Sequence, residues 1–454
     1  MIHYSENITP DSFSGALFAV EGIKDACTIL NGPTGCKFYH SAIADAQFLR
    51  TPTFNPLEYT EGFYFGQSRI PSTYLDGEDY VFGGGEKIAK ILRAAVRKNP
   101  GLIAVINSPG AALIGDDLDR FLAEEVGDIP SFALENTGFS GSFGSGYQKA
   151  IIRALDAVRR RGASPDAKPP PNGNTVTGGG TARGGGETGR TVNILGICIY
   201  QKHYAQNLAV LGRLLELSGI ELTAAPGAGD DAASLSGIGR AALNVALYPE
   251  YSLEIAEKLK NEYGTPYFIP EEGPPIGFDA AEAFIRGICR ELGGDGQKAL
   301  GEIERARARA YLYLSRFSSL LGLPRGTLFS VKAEASIAYA ITKWLCAYLG
   351  MVPASVSVLP GGDAFFIRRL ETFLAEIRYP QALNAPIIET PAHILLADGN
   401  TIAELKLYGQ KFCGIEIALP SLGYIDITGK TLFGGDGALF LLEQILNGLR
   451  YVMV

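Results

Sequence analysis

The stretch Val192–Ala224, VNILGICIYQKHYAQNLAVLGRLLELSGIELTA, decides the fold. Val192–Tyr200 is an apolar, β-branched run that reads as a strand, with Cys198 inside it. Asn207–Ser218 then places Leu208, Leu211 and Leu215 at helical spacing, and Ile220–Ala224 returns to strand character. The alternation continues through a strand at Leu243–Tyr248, a helix at Ser252–Tyr263 and a strand at Pro266–Ile269. Strand and helix alternating at this interval predict βαβ units and a parallel sheet. A further round follows the charged helix near Glu302–Ser319. Its strands are Thr327–Val331, Ala354–Leu359, His393–Ala397 and Phe412–Ile417, with helices at Ala335–Leu349, Asp363–Ile377 and near Thr401–Tyr408. Upstream, Gly101–Asn107 is another short apolar strand, ending in Ser108-Pro109-Gly110. The fold class is α/β: three Rossmann-like, doubly wound parallel-sheet domains over 1–161, 191–300 and 301–454. Between the first two lies a flexible Gly/Pro-rich linker, 162–190, in which 9 Gly and 4 Pro among 29 residues cannot supply a core. Ligands of such sheets sit beyond the carboxyl ends of the strands, so the expected site is a cleft where three sets of strand ends converge.

Composition narrows the function. The 454 residues are 46% hydrophobic and 19% charged, as in globular chains, and the net charge of −8 argues against nucleic acid or an anionic membrane as partner. No window reaches 18 uninterrupted apolar residues and the first residues lack a basic-then-apolar signal pattern, so a cytoplasmic location is expected. Six cysteines, at 27, 36, 198, 289, 346 and 413, form no CxxC pair, and four histidines, at 3, 40, 203 and 393, are equally scattered. Neither a disulfide framework nor a self-contained metal motif follows; metal chemistry would have to be assembled by the fold or shared with another chain.

The most pointed local feature is Asn31-Gly32-Pro33-Thr34-Gly35-Cys36. Its glycines and proline make a tight turn whose N–H groups can face an anion, and a helix starting there would lower the pKa of Cys36, as a metal ligand or nucleophile requires. The competing reading makes Cys36 a small core residue beside glycines that merely turn the chain. Val81–Lys87, VFGGGEK, and Gly138–Tyr147, GFSGSFGSGY, match neither a Walker loop nor a dinucleotide fingerprint and read as structural turns. Cys27 and Cys198 read as packing residues, and Cys289, Cys346 and Cys413 receive no chemistry. His203 either faces a substrate or caps the next helix. Arg69 and Tyr74 either face the cleft or lie on the surface, and His40 is close enough to the turn to tune it by hydrogen bonding.

Taken in order, several of these motifs resemble the nitrogenase component 1-type oxidoreductases. That family includes the dark-operative protochlorophyllide reductases, the nickel-tetrapyrrole reductive cyclase and methylthioalkane reductase. The matching motifs are Gly32–Cys36, Asp79–Lys87, Leu113–Asp117, Thr137–Gly141 with Gly146-Tyr147, Leu247–Tyr251, Tyr263–Pro266 and Gly434–Gly437. The resemblance implies that Gly32, Pro33, Gly35 and Cys36 form a cofactor turn with Cys36 as an iron–sulfur ligand. The chain also departs from the pattern. Where fuller relatives carry two more cysteines, this one has Asp11 and Pro109, the latter beside Ser108, which makes Asp11 and Ser108 auxiliary donors. Where the nitrogenase α subunit binds its iron–molybdenum cofactor through cysteine, this chain has Tyr248. No histidine lies in Leu419–Gly437, so no iron–molybdenum cofactor is expected.

By that resemblance the chain is expected to be one subunit of a nitrogenase-like, two-component oxidoreductase. An ATP-dependent iron–sulfur reductase protein supplies low-potential electrons, and a paralogous component 1 subunit or a homodimer mate completes a bridging iron–sulfur cluster. The substrate is unidentified and is not expected to be dinitrogen. A non-catalytic scaffold for cluster or cofactor assembly, and a structural subunit, are the alternatives.

Overall fold

A computed structural model of the chain describes residues 10–37, 40, 43, 70–135, 141–162, 189–421 and 425–453. Arg69, residues 137–140 and nearly all of the expected linker lie outside them.

Three sheets form, every strand pair parallel. The first orders β1 (Ala26–Asn31), β2 (Leu102–Asn107) and β3 (Ser131–Leu134) in chain order. In the second, β4 (Thr191–Leu195) lies between β5 (Glu221–Ala224) and β6 (Leu243–Ala246), with β7 (Tyr267–Phe268) outside β6. The third repeats that arrangement. There β8 (Leu328–Ala333) lies between β9 (Val352–Val358) and β10 (Ile394–Asp398), with β11 (Cys413–Ala418) at the edge. Starting in mid-sheet and winding outward in both directions makes β4 and β8 the switch points of their sheets, where a crevice opens at the carboxyl ends.

The helices α1 (Ser12–Glu21), α2 (Gly85–Val96), α3 (Leu118–Glu125) and α4 (Phe143–Gly162) cover the first sheet. Helix α1 is buried on nearly all sides and crosses α4 at backbone distance. A Cβ on Gly15 would lie 2.0 Å from the Phe143 carbonyl oxygen, and one on Gly146 1.8 Å from that of Ser12. Gly146, just before Tyr147, thus serves close helix packing. Beyond it, the Tyr147 hydroxyl donates to the Pro226 carbonyl at 2.6 Å, tying the first lobe to the second.

In the second lobe, α5 (Tyr204–Leu217) follows β4, and α6 (Pro249–Tyr263) opens on a proline and ends at Gly264, where φ is 73°. After α7 (Phe278–Leu292), the helix α8 (Gln297–Leu321) runs straight through the expected boundary at 300–301. The third lobe adds α9 (Ala335–Ala347), α10 (Ala364–Glu376) and α11 (Gly399–Leu407) before α12 (Gly434–Met453), which packs back on α7 and α8. The last helix therefore binds the second and third lobes together. The strand expected over Val192–Tyr200 stops at Leu195, because the chain turns at Gly196, φ 96°. Among the described residues no helix is long and apolar enough to cross a membrane.

Candidate functional site

The carboxyl end of β1 runs into the Asn31–Cys36 turn, and the neighbouring strand fixes it. The Asn31 side-chain amide donates to Asn107 Oδ1 at 2.8 Å, and the Ser108 N–H donates to the Asn31 carbonyl at 2.8 Å. From the other side, Thr73 Oγ1 donates to Asn31 Oδ1 at 2.8 Å and accepts from the Gly32 N–H at 3.0 Å. Ser72 Oγ donates to the Gly32 carbonyl at 3.1 Å. Residues 34–37 are helical, so the turn does feed a helix start. The two glycines have different reasons to be there. A Cβ on Gly32 would come within 2.6 Å of Ser108 Oγ, whereas one on Gly35 would meet nothing within 4 Å. Gly32→Ala is therefore expected to cost about 1–3 kcal/mol through overpacking, while Gly35→Ala leaves stability unchanged or raised by up to about 1 kcal/mol. Chemical denaturation of the two variants side by side checks this.

Cys36 is half-buried, and the sign of its pKa is opposite to the expectation. Burial first, and then the charge of Asp11, push the thiol above its ordinary value. The helix start does not offset them. His40 Nδ1 donates to the Cys36 carbonyl at 2.6 Å, and its Nε2 lies 3.0 Å from Ser14 Oγ. Burial lowers the His40 pKa, so the ring is neutral at neutral pH. Ser14 Oγ is in turn 3.2 Å from Asp11 Oδ1, which also accepts from the Ser14 N–H as the N-cap of α1. Ser108 Oγ accepts from the Ala111 N–H at 3.3 Å. Both expected auxiliary donors thus already hold helix starts. No group of three His, Cys, Asp or Glu able to hold a metal occurs among the described residues. The donor set fits one corner of a shared iron–sulfur cluster and does not fit a cluster held by this chain alone.

His40 also lines a second feature, a cavity of about 260 Å³ between the three lobes. Its walls are strand ends. Tyr200 and Lys202 follow β4, Tyr248 and Glu250 follow β6, Glu334 follows β8, and Asp398 ends β10. Phe18 and Phe143 come from the first lobe, each with its ring centroid 4.8 Å from that of Tyr200. Lys202 Nζ is buried against Glu416 Oε2 (2.7 Å), Asp426 Oδ2 (2.8 Å) and Ser421 Oγ (2.6 Å), joining the second lobe to the third. Tyr248, the residue at which the sequence departs from a cofactor-binding cysteine, is fully buried and lines the cavity. His203 does not line it. Its backbone is left-handed (φ 60°), it makes no capping bond to α5, and its ring packs edge-on against Phe440 of α12. Tyr74 likewise lies away from the cavity, 43% exposed beside the Cys36 turn, its hydroxyl accepting from Lys37.

Glu250 closes the lobe interface. Its carboxylate accepts from the Ser336 N–H (2.8 Å) and Ser336 Oγ (2.9 Å), capping α9 from the neighbouring lobe. Burial outweighs those bonds and raises its pKa to about 7. A carboxyl whose pKa rises on folding stabilises the protein fully below its unfolded value of 4.5, and that contribution is lost as pH climbs through about 7. Between pH 5 and 8 the wild type is expected to lose about 3 kcal/mol more than Glu250→Gln does, read from urea denaturation at each pH.

Fold and site together place the chain among parallel-sheet α/β proteins with a cavity where strand ends meet. It belongs to the nitrogenase component 1 type oxidoreductase family, whose model matches residues 12–450. It is 27% identical over 308 residues to the nitrogenase iron-molybdenum cofactor biosynthesis protein NifE of Nostoc sp., covering 67% of this chain and 56% of that protein. It is 25% identical over 150 residues to the Ni-sirohydrochlorin a,c-diamide reductive cyclase component CfbD of Methanosarcina acetivorans, covering 33% of this chain and 35% of that one. These matches span about half the relative's length or less. A longer one, 23% identical over 470 residues, covers 95% of this chain and 82% of the nitrogenase molybdenum-iron protein beta chain of Bradyrhizobium diazoefficiens. Among solved structures, nitrogenase Cp1 at pH 6.5 superposes with a TM-score of 0.73 at 18% identity, over 100% of this chain and 95% of that one. The family resemblance and the three-lobed parallel α/β fold read from the sequence are thereby established.

Proposed function

We propose that this chain is one subunit of a nitrogenase-like, two-component reductase. Cys36 supplies one ligand of an iron–sulfur cluster that a paralogous subunit or a second copy completes, and a substrate is reduced in the interdomain cavity. The observation that carries this reading is His40, which bonds the Cys36 carbonyl and also lines the cavity, so the turn and the ligand chamber share a wall. When bound, the cluster would relay low-potential electrons from an ATP-dependent iron–sulfur reductase protein. Gly32 and Pro33 shape the turn, Gly35 leaves its outer face open, and Asp11 and Ser108 stand by as auxiliary donors. The cavity lining includes no cysteine among the described residues, and on that basis no iron–molybdenum cofactor is expected there.

The face for the second chain is marked by exposed apolar side chains beside the turn. Phe82 is 87% exposed and Leu113 is 89% exposed, and Val81 and Tyr80 beside Phe82 in the chain are exposed as well. Tyr80 sits close enough to Cys36 and Gly110 for the cysteine's charge to raise its pKa, after burial. Such a patch is costly to leave in water and suits a subunit interface.

A scaffold for cofactor assembly is the second reading, favoured by the similarity to NifE and by the single thiolate. Anaerobic purification with the co-encoded partner, followed by iron and sulfide counts, an electron paramagnetic resonance spectrum and turnover with a reductase protein and ATP, separates them. Iron with turnover supports the reductase. Iron passed to an acceptor without turnover supports the scaffold, and an iron-free complex sinks both.

A further inference from the structure

Two side chains of the cavity wall carry a hydroxyl that nothing in the fold uses. Tyr200, after β4, and Tyr248, after β6, have no hydrogen-bond partner for their phenol oxygens among the described residues, and neither oxygen is sealed from a water-sized probe. Tyr248 is 2% exposed overall, so the little of it that is accessible faces the cavity it lines. Tyr200 is held in the wall by Phe18 and Phe143, whose ring centroids each lie 4.8 Å from its own. A buried hydroxyl without an acceptor is costly, and two of them opening on one chamber call for a ligand that supplies acceptors.

We propose that Tyr200 and Tyr248 are the recognition residues of the interdomain cavity, donating through their hydroxyls to oxygen or nitrogen acceptors on a neutral, ring-sized ligand. The proposal rests on the reading of the cavity as the ligand chamber of a reductase and adds the class of ligand. The two donors come from neighbouring strands of one sheet, so the same lobe that carries the switch point at β4 also orients the ligand.

The charged groups at the other strand ends are engaged elsewhere. Lys202 meets Glu416 and Asp426, Lys332 Nζ donates to Thr401 Oγ1, Asp398 caps α11 through Thr401, and Glu250 caps α9. Glu334 accepts from the Tyr251 hydroxyl through Oε1, and its other oxygen is sealed off from the cavity. Among the polar groups, Gln201 turns its amide back to the Gly196 carbonyl at 2.8 Å. The charge of the ligand follows from what surrounds the phenols. Besides burial, Asp398, Glu334 and Cys198 act on Tyr200, and Glu334, Cys198 and Glu250 act on Tyr248, all of them acids that disfavour an anion beside either hydroxyl. Size follows from the cavity, since about 260 Å³ holds a small ring system rather than a macrocycle. Shape agrees, because Phe18, Phe143 and Tyr200 gather aromatic surface on one side of it.

Acetophenone, a neutral ring with one carbonyl acceptor, is the probe, added to the purified complex without reductase or ATP. Ethylbenzene, lacking the acceptor, and benzoate, carrying a charge, are its counterparts. Calorimetry is expected to show saturable acetophenone binding that the double variant Tyr200→Phe/Tyr248→Phe weakens about 3–10-fold, each single variant accounting for part of the loss. Ethylbenzene should bind the double variant at least as tightly as the wild type, and benzoate should bind the wild type more weakly than acetophenone does. No saturable acetophenone binding, benzoate binding tighter than acetophenone, or equal acetophenone affinity in wild type and double variant overturns the proposal. Equal affinity in wild type and one single variant overturns the role of that residue. The variants should fold, because the hydroxyls they lose bond nothing among the described residues. A measurement on the wild type alone gives a second test: the infrared carbonyl band of bound acetophenone should lie below its position in hexane, and an unshifted band overturns the proposal. None of these readouts uses electrons. Binding with the shifted band but without iron or turnover keeps the two donors and removes only the reductase reading.

Discussion

Cys36→Ala in the assembled complex is expected to remove bound iron and abolish reductase-dependent turnover while leaving the fold intact. The loss should exceed the roughly 10–100-fold that removing an outer partner of a metal ligand costs, because under the proposed assignment the ligand itself goes. The fold should survive, since the turn is held by bonds among Asn31, Thr73, Asn107 and Ser108 that do not involve the thiol. Iron and sulfide counts with the resonance spectrum check the first part and circular dichroism the second. A complex that keeps its full iron content and spectrum without the thiol would leave Cys36 as packing and transfer the whole site to the partner.

The second large effect is on stability. Lys202 and Glu416 are 3% and 1% exposed at the side chain, and the lysine also bonds Asp426 and Ser421, so one ammonium holds two stretches of the third lobe against the second. For Asp426, burial pushes the pKa up, but Lys202 and Lys430 outweigh it and bring it down to about 2. Lys202→Met removes the cation and strands a buried carboxylate, at an expected cost of about 3–5 kcal/mol. Adding Glu416→Leu should return part of it, since a buried ion pair can be replaced by apolar packing at far lower cost than either half can be removed. Denaturant midpoints of the wild type, the two single variants and the double variant close the cycle. A double variant no more stable than Lys202→Met would show that the ion pair is not what joins the lobes.

Much of this architecture is legible in the sequence, for a local reason. Val192–Ala224 and Leu328–Ala397 alternate apolar runs with helical spacing, and parallel strands buried on both faces leave that imprint whatever surrounds them. What fails is whatever depends on residues distant in the chain. The pKa of Cys36 is set by burial and by Asp11, 25 positions away, so the turn alone suggests the wrong sign. His203 leaves the cavity because the chain turns left-handed there and aims the ring at Phe440, over 200 residues on. Glu334 carries a signal that spacing passes over: it directly follows a buried strand, Leu328–Ala333, whose one charged residue is Lys332. Glu250 carried no such mark, being one acid among several on α6 until Ser336 is seen beside it.

The repeated strand order of the second and third lobes has an evolutionary consequence. Since several residues of the chamber wall, Tyr200, Tyr248 and Glu334 among them, follow strands rather than lie in them, these positions can be exchanged without breaking a strand. Drift at such positions alters what the chamber accepts while the sheets stay in place. A lineage built this way can change its chemistry one strand end at a time.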